Sequence, residues 1–168
     1  QTGLTPDDRQ NLERAVAMAR AYAEAPDGWF VLLGNYGSGK THLAAAIANQ
    51  QQERGTQVVF VTAPDLLDYL RVTFSPNSGS FDRRFATVRN AALLVLDDLS
   101  TESATAWAKE KLFQLLNHRY VAGLPTVITS SSTIEKIDER IRARLMDRRR
   151  CVIYGITAPS YSSRTYRK

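Results

Sequence analysis

Short runs of apolar residues alternate along this chain with longer stretches in which apolar positions recur at helical spacing. A continuous apolar run of a few residues is typical of a strand that is buried on both faces of a sheet. Such runs occur at residues 29–33, 58–61, 93–96, 126–129 and 151–154. They predict five strands of a central, mainly parallel sheet.

The stretches between these runs are predicted to be helices. They cover residues 6–25, 39–54, 64–71, 81–90, 104–122 and 134–147. Thr5 suits the N-cap of the first helix and Pro6 its first turn. Because helices alternate with strands, the pattern predicts a three-layer α/β/α fold whose ligands bind at the carboxyl ends of the strands.

The composition fits one domain. The 168 residues are 43% hydrophobic, which is enough for a single core. We divide them into a leading helix and turn (1–27), a core (28–157) and a basic tail (158–168). The single cysteine, Cys151, excludes an internal disulfide, and no residue cluster has zinc spacing, so a reducing cytoplasm is expected. No apolar run approaches the roughly 18 residues of a membrane span, so no membrane partner is expected.

The net charge of +5 is concentrated near the end of the chain. Residues 136–168 include ten basic and three acidic side chains, whereas the preceding part is slightly acidic. Any field that attracts polyanions therefore comes from this segment and from local arginine clusters, although a solvated basic face is the alternative. The chain opens with Gln1 rather than Met, so we expect a longer protein with an N-terminal partner-binding domain.

The segment from Gly34 to Thr41 satisfies G-x-x-x-x-G-K-[ST] between a predicted strand and a predicted helix. In such a loop, backbone N–H groups bind phosphate oxygens, the lysine reaches the β and γ phosphates, and the hydroxyl binds Mg²⁺. The segment predicts a site for ATP or ADP with Mg²⁺, in which Lys40 is catalytic and Thr41 is a metal ligand. The predicted nucleotide contacts are Gly34, Asn35, Tyr36, Gly37, Ser38, Gly39, Lys40, Thr41 and His42.

Asp97 and Asp98 follow the third predicted strand, as the acidic pair of P-loop NTPases does. Asp97 is predicted to bind Mg²⁺ through water, and Asp98 to polarise the attacking water. Many relatives place the longer Glu at the second position. A simple loop cap is the alternative interpretation of this pair.

Four segments together resemble the AAA+ ATPases of the DnaC/DnaI helicase-loader and IstB-like group. They read GKTHLA at 39–44, LVLDDL at 94–99, NHRY at 117–120 and LPTVITS at 124–130. The likeness covers most of residues 29–161. It implies a P-loop NTPase fold of the AAA+ type, with the fourth strand between the loop strand and the acidic strand, and little or no C-terminal lid.

The resemblance also implies two further catalytic residues. The family ends its fourth strand in a polar sensor, usually Asn, and Ser131 stands at this position, with Thr129 and Ser130 as alternatives. In the family, an arginine from a neighbouring subunit contacts the γ-phosphate. Arg144 matches that residue, and Arg140 is the second choice. Self-association through a trans arginine is therefore implied, with slow hydrolysis by an isolated monomer.

Arginines and phenylalanines are interleaved between the second and third strands, a mixture that grooves for single-stranded nucleic acid use. The predicted DNA contacts are Arg71, Arg83, Arg84 and Arg89. Phe74, Phe81 and Phe85 accompany them. Phe81 and Phe85 are four residues apart, so they suit the core stripe of a helix equally well.

The resemblance implies a helicase loader that binds ATP with Mg²⁺ and single-stranded DNA and helps to place a replicative hexameric helicase on DNA. One alternative is an IstB-like transposition helper that acts on duplex DNA. Another is a nucleotide-gated binding module with negligible turnover, which Ser131 and Asp98 favour. A small-molecule kinase is a more distant alternative, since no substrate lid is evident.

Overall fold

A computed structural model describes residues 4–72 and 80–161 of the chain, apart from the side chains of residues 72 and 80–82. Its five strands form one sheet in which every pairing is parallel. The strands are β1 (Trp29–Gly34), β2 (Val58–Thr62), β3 (Leu93–Asp97), β4 (Thr126–Ser130) and β5 (Cys151–Ile156). The predicted sheet is confirmed. Each of β1, β2, β3 and β4 extends one residue beyond its predicted run, and β5 extends two residues beyond it.

Six α-helices connect the strands within the described residues. They are α1 (Pro6–Glu24), α2 (Lys40–Glu53), α3 (Ala63–Val72), α4 (Ser80–Asn90), α5 (Ala106–Val121) and α6 (Glu139–Leu145). The hydroxyl of Thr5 accepts a hydrogen bond from the N–H of Asp8, so the predicted start of α1 is correct. No helix in the described part of the chain is long and apolar enough to cross a membrane.

The strand order is β2-β3-β4-β1-β5, so β4 lies between β3 and β1. Leu32 of β1 pairs with Thr129 of β4, and Leu96 of β3 pairs with Ile128. Because the strands are parallel, the carboxyl ends of β1, β3 and β4 meet at one edge of the sheet. The phosphate loop, the acidic pair and the polar end of β4 are thereby brought to the same place.

The two faces of the sheet bury different side chains because successive residues of a strand point to opposite sides. On β1, Phe30 and Leu32 pack with α1 and α2, whereas Trp29 and Val31 pack with the core that α3, α4, α5 and α6 cover. The three-layer α/β/α fold that the alternation predicts is therefore confirmed.

The predicted helix at 134–147 is wrong in its first half. Residues Ile134–Lys136 form a single 3₁₀ turn, and α6 begins only at Glu139. Asp138 separates the two, and its carboxylate accepts hydrogen bonds from the N–H groups of Arg140 and Ile141. An aspartate in this position favours a new helix start over a continuous helix because it satisfies otherwise unpaired N–H groups.

Arg119 of α5 is fully buried. Its guanidinium donates to the Thr126 hydroxyl at 2.9 Å and to the carbonyls of Pro125 at 2.6 Å and Ala91 at 2.8 Å. It also donates to the carbonyls of Val88 and Arg89 at the end of α4. Burial lowers the pKa of this arginine to about 10. The side chain thus joins α4 and α5 to the starts of β3 and β4.

Candidate functional site

The phosphate loop connects β1 to α2 and depends on glycine at two close approaches. A Cβ on Gly34, whose φ is 152°, would lie 2.6 Å from the carbonyl oxygen of Ile156. A Cβ on Gly37, whose φ is 72°, would lie 2.3 Å from Oγ of Ser160. The N-terminus of α2 has no side-chain cap, so the amides of its first turn are available to an anion.

A cleft of about 800 Å³ opens beside this loop, at the carboxyl edge of the sheet. It contains seven of the nine predicted nucleotide contacts together with the acidic pair. Gly34 and Asn35 are not part of the lining, but their carbonyls accept hydrogen bonds from Lys40, which is. The cleft is lined by Leu12, Tyr36, Gly37, Ser38, Gly39, Lys40, Thr41, His42, Thr62, Pro64, Asp97, Asp98, Thr129, Ser131 and Tyr161.

Lys40 is largely buried, and its ammonium donates to the carbonyls of Gly34 at 2.7 Å and Asn35 at 2.8 Å. Burial lowers its pKa, while the nearby charges of Asp98 and Asp97 act in the opposite direction. An ammonium group has three donors, so one N–H remains for a ligand oxygen after hydrogen bonds to the two carbonyls are made. The loop thereby holds a positive charge at the floor of the cleft.

Asp97 is buried at the end of β3 and accepts hydrogen bonds from two hydroxyls. Thr41 donates to its carboxylate oxygens at 2.9 and 3.1 Å, and Thr129 donates to Oδ1 at 2.6 Å. The next residue, Asp98, has a φ of 56°, the left-handed conformation that non-glycine residues seldom adopt. Its N–H donates to the Thr129 hydroxyl at 2.9 Å.

The three candidates for the polar sensor, at the end of β4, lie in different environments. Ser131 is half-buried and lines the cleft, as the resemblance implies. Ser130 is fully buried and donates to the carbonyl of Leu99 at 2.5 Å, away from the cleft. Thr129 also lines the cleft, but its hydroxyl is engaged by the acidic pair.

The oxygen atoms in the cleft fit Mg²⁺. No group of three or more His, Cys, Asp and Glu side chains in the described part of the chain could hold a metal by itself. Mg²⁺ needs no such group, since it keeps several waters and is bound through one or two carboxylates and the phosphates of its substrate. The Thr41 hydroxyl and the Asp97 carboxylate, 2.9 Å apart, are the two protein groups suited to it.

His42 is the last of the predicted nucleotide contacts. Its side chain is exposed at the start of α2 and contributes to the cleft. Lys40, two residues earlier, is buried, as are Ala44 and Ile47 further along α2. His118 is half-buried and contacts Asn90 at 2.8 Å, outside the cleft.

The segment after β5 packs against the phosphate loop, which the sequence did not predict. Ala158 is fully buried, and the N–H of Tyr161 donates to the carbonyl of Gly37 at 3.0 Å. The predicted basic tail thus begins with residues that belong to the core and the cleft, whereas residues 162–168 lie outside the described part. The small residues at 158–160 were the feature of the sequence that could have indicated this packing against the loop.

Arg144 lies far from the phosphate loop of its own chain. Its guanidinium stacks on the Tyr120 ring, which in turn contacts the ring of Trp29, the first residue of β1. A strand of six residues is roughly 17 Å long, and the phosphate loop follows its other end. The alternative, Arg140, is paired with Glu110 at 2.7 Å. Neither arginine lines the cleft.

The predicted DNA-contacting arginines occupy different environments. Arg71 forms an ion pair with Asp68 at 2.9 Å and lies over the Trp107 ring. Arg84 lies over the ring of Tyr69, and Arg83 is exposed. Arg89 is half-buried.

Of the interleaved phenylalanines, Phe85 belongs to the hydrophobic core. The alternative interpretation of Phe85, as part of the core stripe of a helix, is therefore correct. Phe74, one of the residues predicted to accompany the DNA contacts, lies outside the described residues, as does the side chain of Phe81.

A parallel sheet in this strand order, with a phosphate loop after β1 and an acidic pair after β3, defines an AAA+ domain of the P-loop NTPase class. The chain belongs to the family of IstB-like ATP binding proteins, which matches residues 14–166. The predicted DnaC/DnaI and IstB-like group is confirmed, and this membership supports nucleotide binding in the cleft.

Two curated relatives are named replicative helicase loaders. DnaC of Escherichia coli K12 is 32% identical over 139 residues, which cover 81% of this chain and 57% of DnaC. DnaI of Bacillus subtilis is 28% identical over 143 residues, which cover 77% of this chain and 45% of DnaI. This chain therefore spans only about half the length of the relatives it matches.

A solved structure supports the fold. The crystal structure of the DnaC helicase loader superposes with a TM-score of 0.77 at 23% identity, covering 86% of this chain and 89% of the other. At this level of identity, the likeness concerns the fold alone.

Proposed function

We propose that this chain is the ATPase module of a helicase loader: it binds ATP with Mg²⁺, hydrolyses it, and helps to place a replicative hexameric helicase on single-stranded DNA. The observation that carries the proposal is the convergence of Lys40, Thr41, Asp97 and Asp98 in one cleft. The names of the relatives DnaC and DnaI support the loader role.

The residues of the cleft have separate roles in phosphoryl transfer. The loop amides and the Lys40 ammonium bind the β and γ phosphates and neutralise part of their charge. The Thr41 hydroxyl and Asp97 would hold Mg²⁺, which supplies further neutralisation when it is bound. Asp98 orients and polarises the attacking water, and Ser131 contacts the water or the γ-phosphate.

Arg144 completes this site in a neighbouring subunit. Its distance from the loop of its own chain excludes direct contact in cis, whereas a guanidinium suits charge that is spread over phosphate oxygens. We therefore propose self-association in which Arg144 of one copy faces the cleft of the next. An isolated monomer then hydrolyses ATP slowly.

DNA is bound by the arginines of α3 and α4. Arg83 and Arg84 are the first residues of α4 whose side chains are described. Arg71 lies near the end of α3. Stacking rings and cations together suit a single strand, whose bases are accessible. A role on duplex DNA, as a transposition helper, is the second candidate because the matching family is described as IstB-like.

The test compares the chain with its Lys40→Ala variant, using Lys109→Ala, on α5 outside the cleft, as a matched control. We expect Lys40→Ala to abolish DNA-stimulated ATP hydrolysis and Lys109→Ala to retain it. Equal hydrolysis by all three proteins would contradict the proposal, and nucleotide binding without turnover in the parent chain would favour the binding module.

The nucleic acid partner is tested by measuring ATP hydrolysis and binding with single-stranded and duplex DNA of the same sequence. Preference for the single strand supports the loader, and preference for the duplex supports the transposition helper. Co-purification with a hexameric replicative helicase in the presence of ATP tests the protein partner.

A further inference from the structure

Thr129 joins the end of β4 to the acidic pair by two hydrogen bonds and to Leu99 by a third. Its buried hydroxyl donates to Oδ1 of Asp97 at 2.6 Å and accepts from the N–H of Asp98 at 2.9 Å. Its carbonyl accepts from the N–H of Leu99 at 2.8 Å. The side chain and the backbone of one residue therefore fix three successive residues, of which Asp97 is the last of β3.

The single proton of the Thr129 hydroxyl is already committed in this arrangement. A threonine hydroxyl has one proton, which is donated to Asp97, and the N–H of Asp98 occupies one of its lone pairs. Its β-branched side chain is also stiff about χ1. Thr129 is thus arranged to hold the two acids, and a direct contact with a phosphate would require its bond to Asp97 to break.

Asp97 has a second hydroxyl partner, Thr41, but that residue has a competing task. The Thr41 hydroxyl belongs to the phosphate loop and is one of the two protein groups suited to Mg²⁺. If the Thr41 oxygen bound Mg²⁺, Thr129 would remain as the hydroxyl that orients the Asp97 carboxylate. Thr129 is 1% exposed, so water cannot easily replace it there.

Asp98 depends on Thr129 in a different way. Its φ of 56° is unfavourable for a residue with a Cβ and persists only where the surroundings enforce it. The hydrogen bond from its N–H to Thr129 supplies such a restraint. This conformation sets the direction in which the Asp98 carboxylate leaves the backbone at the rim of the cleft.

We propose that Thr129 is a positioning residue, which holds Asp97 for Mg²⁺ and Asp98 for the attacking water without touching the nucleotide itself. This inference rests on the proposed function, since it concerns the same cleft. It distinguishes Thr129 from Ser131, which lines the cleft with its hydroxyl free of the acidic pair among the described contacts.

The test measures the affinity of the full chain for a fluorescent ADP analogue with and without Mg²⁺. Thr129→Val keeps the shape of the side chain but removes the hydroxyl, and Thr129→Ser restores it. Ser130→Ala is the matched control, because it removes a hydroxyl bond from the next residue of β4 to the carbonyl of Leu99 but none to either acid. Circular dichroism and thermal unfolding verify that each variant is folded.

We expect Thr129→Val to bind the analogue normally without Mg²⁺ and to lose about tenfold or more of the affinity gained when Mg²⁺ is added, as suits the loss of a hydrogen bond to a charged group. Thr129→Ser and Ser130→Ala should keep most of that gain. A Thr129→Val variant with the full gain would overturn the inference, as would a Thr129→Ser variant as impaired as Thr129→Val.

Failure of the proposed function gives a different result. If the parent chain binds no nucleotide, or if Lys40→Ala binds as well as the parent, the cleft is not a nucleotide site and both proposals fall. If the parent binds with a gain from Mg²⁺ that Thr129→Val retains, only the role of Thr129 is wrong.

Discussion

Nε of Arg144 donates a hydrogen bond of 3.0 Å to Oδ1 of Asn117, which fixes the end of α6 against α5. The same guanidinium lies 5.0 Å from the centre of the Tyr120 ring. Arg144 makes no ion pair with the carboxylates of the described residues, whereas Arg140 is paired with Glu110. An oriented guanidinium without an acidic partner is suited to an anion from another molecule.

This arrangement predicts the effect of Arg144→Ala. Turnover of the assembled protein should fall by roughly a thousandfold, the scale associated with a trans arginine, while nucleotide affinity is unchanged. Arg140→Ala is the control and should have the smaller effect. Steady-state hydrolysis and equilibrium nucleotide binding measure the two quantities separately.

A mixing experiment tests whether the arginine acts in trans. Lys40→Ala and Arg144→Ala should each have little activity alone, but a mixed assembly contains interfaces at which an intact cleft faces an intact arginine. Partial recovery of hydrolysis is therefore expected on mixing. Loss of nucleotide affinity in Arg144→Ala, or no recovery on mixing, would contradict a trans role.

Arg119 predicts a large effect on stability. Replacing it with Leu leaves the Thr126 hydroxyl and several buried carbonyls without a donor, so the free energy of unfolding should fall by about 3–5 kcal/mol. Arg119→Lys keeps a positive charge but fewer donors and should be intermediate. Urea denaturation measures both, and Arg54→Ala, which breaks an exposed pair with Glu24, should change little.

Local sequence patterns were enough to predict the strands and the phosphate loop. The phosphate loop was predictable because its motif spans eight successive residues, and the strands because burial on both faces gives continuous apolar runs. The position of β4 between β1 and β3 came from the family resemblance, since periodicity within a strand carries no information on its neighbours.

The features that were missed depend on contacts between distant residues. Arg119 continues the helical stripe of Leu112, Leu115 and Leu116, yet its charge argues against burial until the acceptors on α4 and β4 are known. The hydrogen bond from Thr129 to Asp97, 32 residues away, is not visible in sequence, so the sequence leaves Thr129 as an alternative for the sensor. The contact of Tyr161 with Gly37 is of the same kind.

Cys151 predicts slow thiol chemistry in the folded protein. Its side chain is 6% exposed, Sγ donates to the carbonyl of Arg144 at 3.2 Å, and burial raises its pKa to about 12. Alkylation by iodoacetamide at mildly alkaline pH should be at least about a hundredfold slower than in urea, since the thiolate is the nucleophile. The chain has one cysteine, so the labelled mass reports on this site alone.

The same shift has a defined sign in the pH dependence of stability. The folded state keeps the thiol proton up to about pH 12, whereas the unfolded chain releases it near its ordinary pKa of 9.0. Above that pH the folded state binds more protons, so the free energy of unfolding falls as pH rises. Cys151→Val should lose this component of the alkaline slope, and a variant with the unchanged slope would argue against a buried thiol.

The arginines of α3 and α4 give the last prediction, which concerns DNA. Arg83 is exposed and Arg84 lies over the ring of Tyr69, and neither makes an ion pair with a carboxylate of the described residues. The charge of Arg71 is already offset by Asp68 at 2.9 Å. If these side chains bind phosphates, Arg83→Ala and Arg84→Ala should weaken DNA binding more than Arg71→Ala does.

Salt dependence distinguishes a lost phosphate contact from an indirect effect. Each phosphate contact to a single strand contributes about 0.7 to the slope of log affinity against log salt, so each effective substitution should reduce the slope by about that amount. Arg20→Ala, exposed on α1 across the sheet, is the matched control and should leave the slope unchanged. Slopes that are equal in all variants would exclude these arginines from the DNA interface, because an electrostatic contact cannot be lost without releasing fewer counterions.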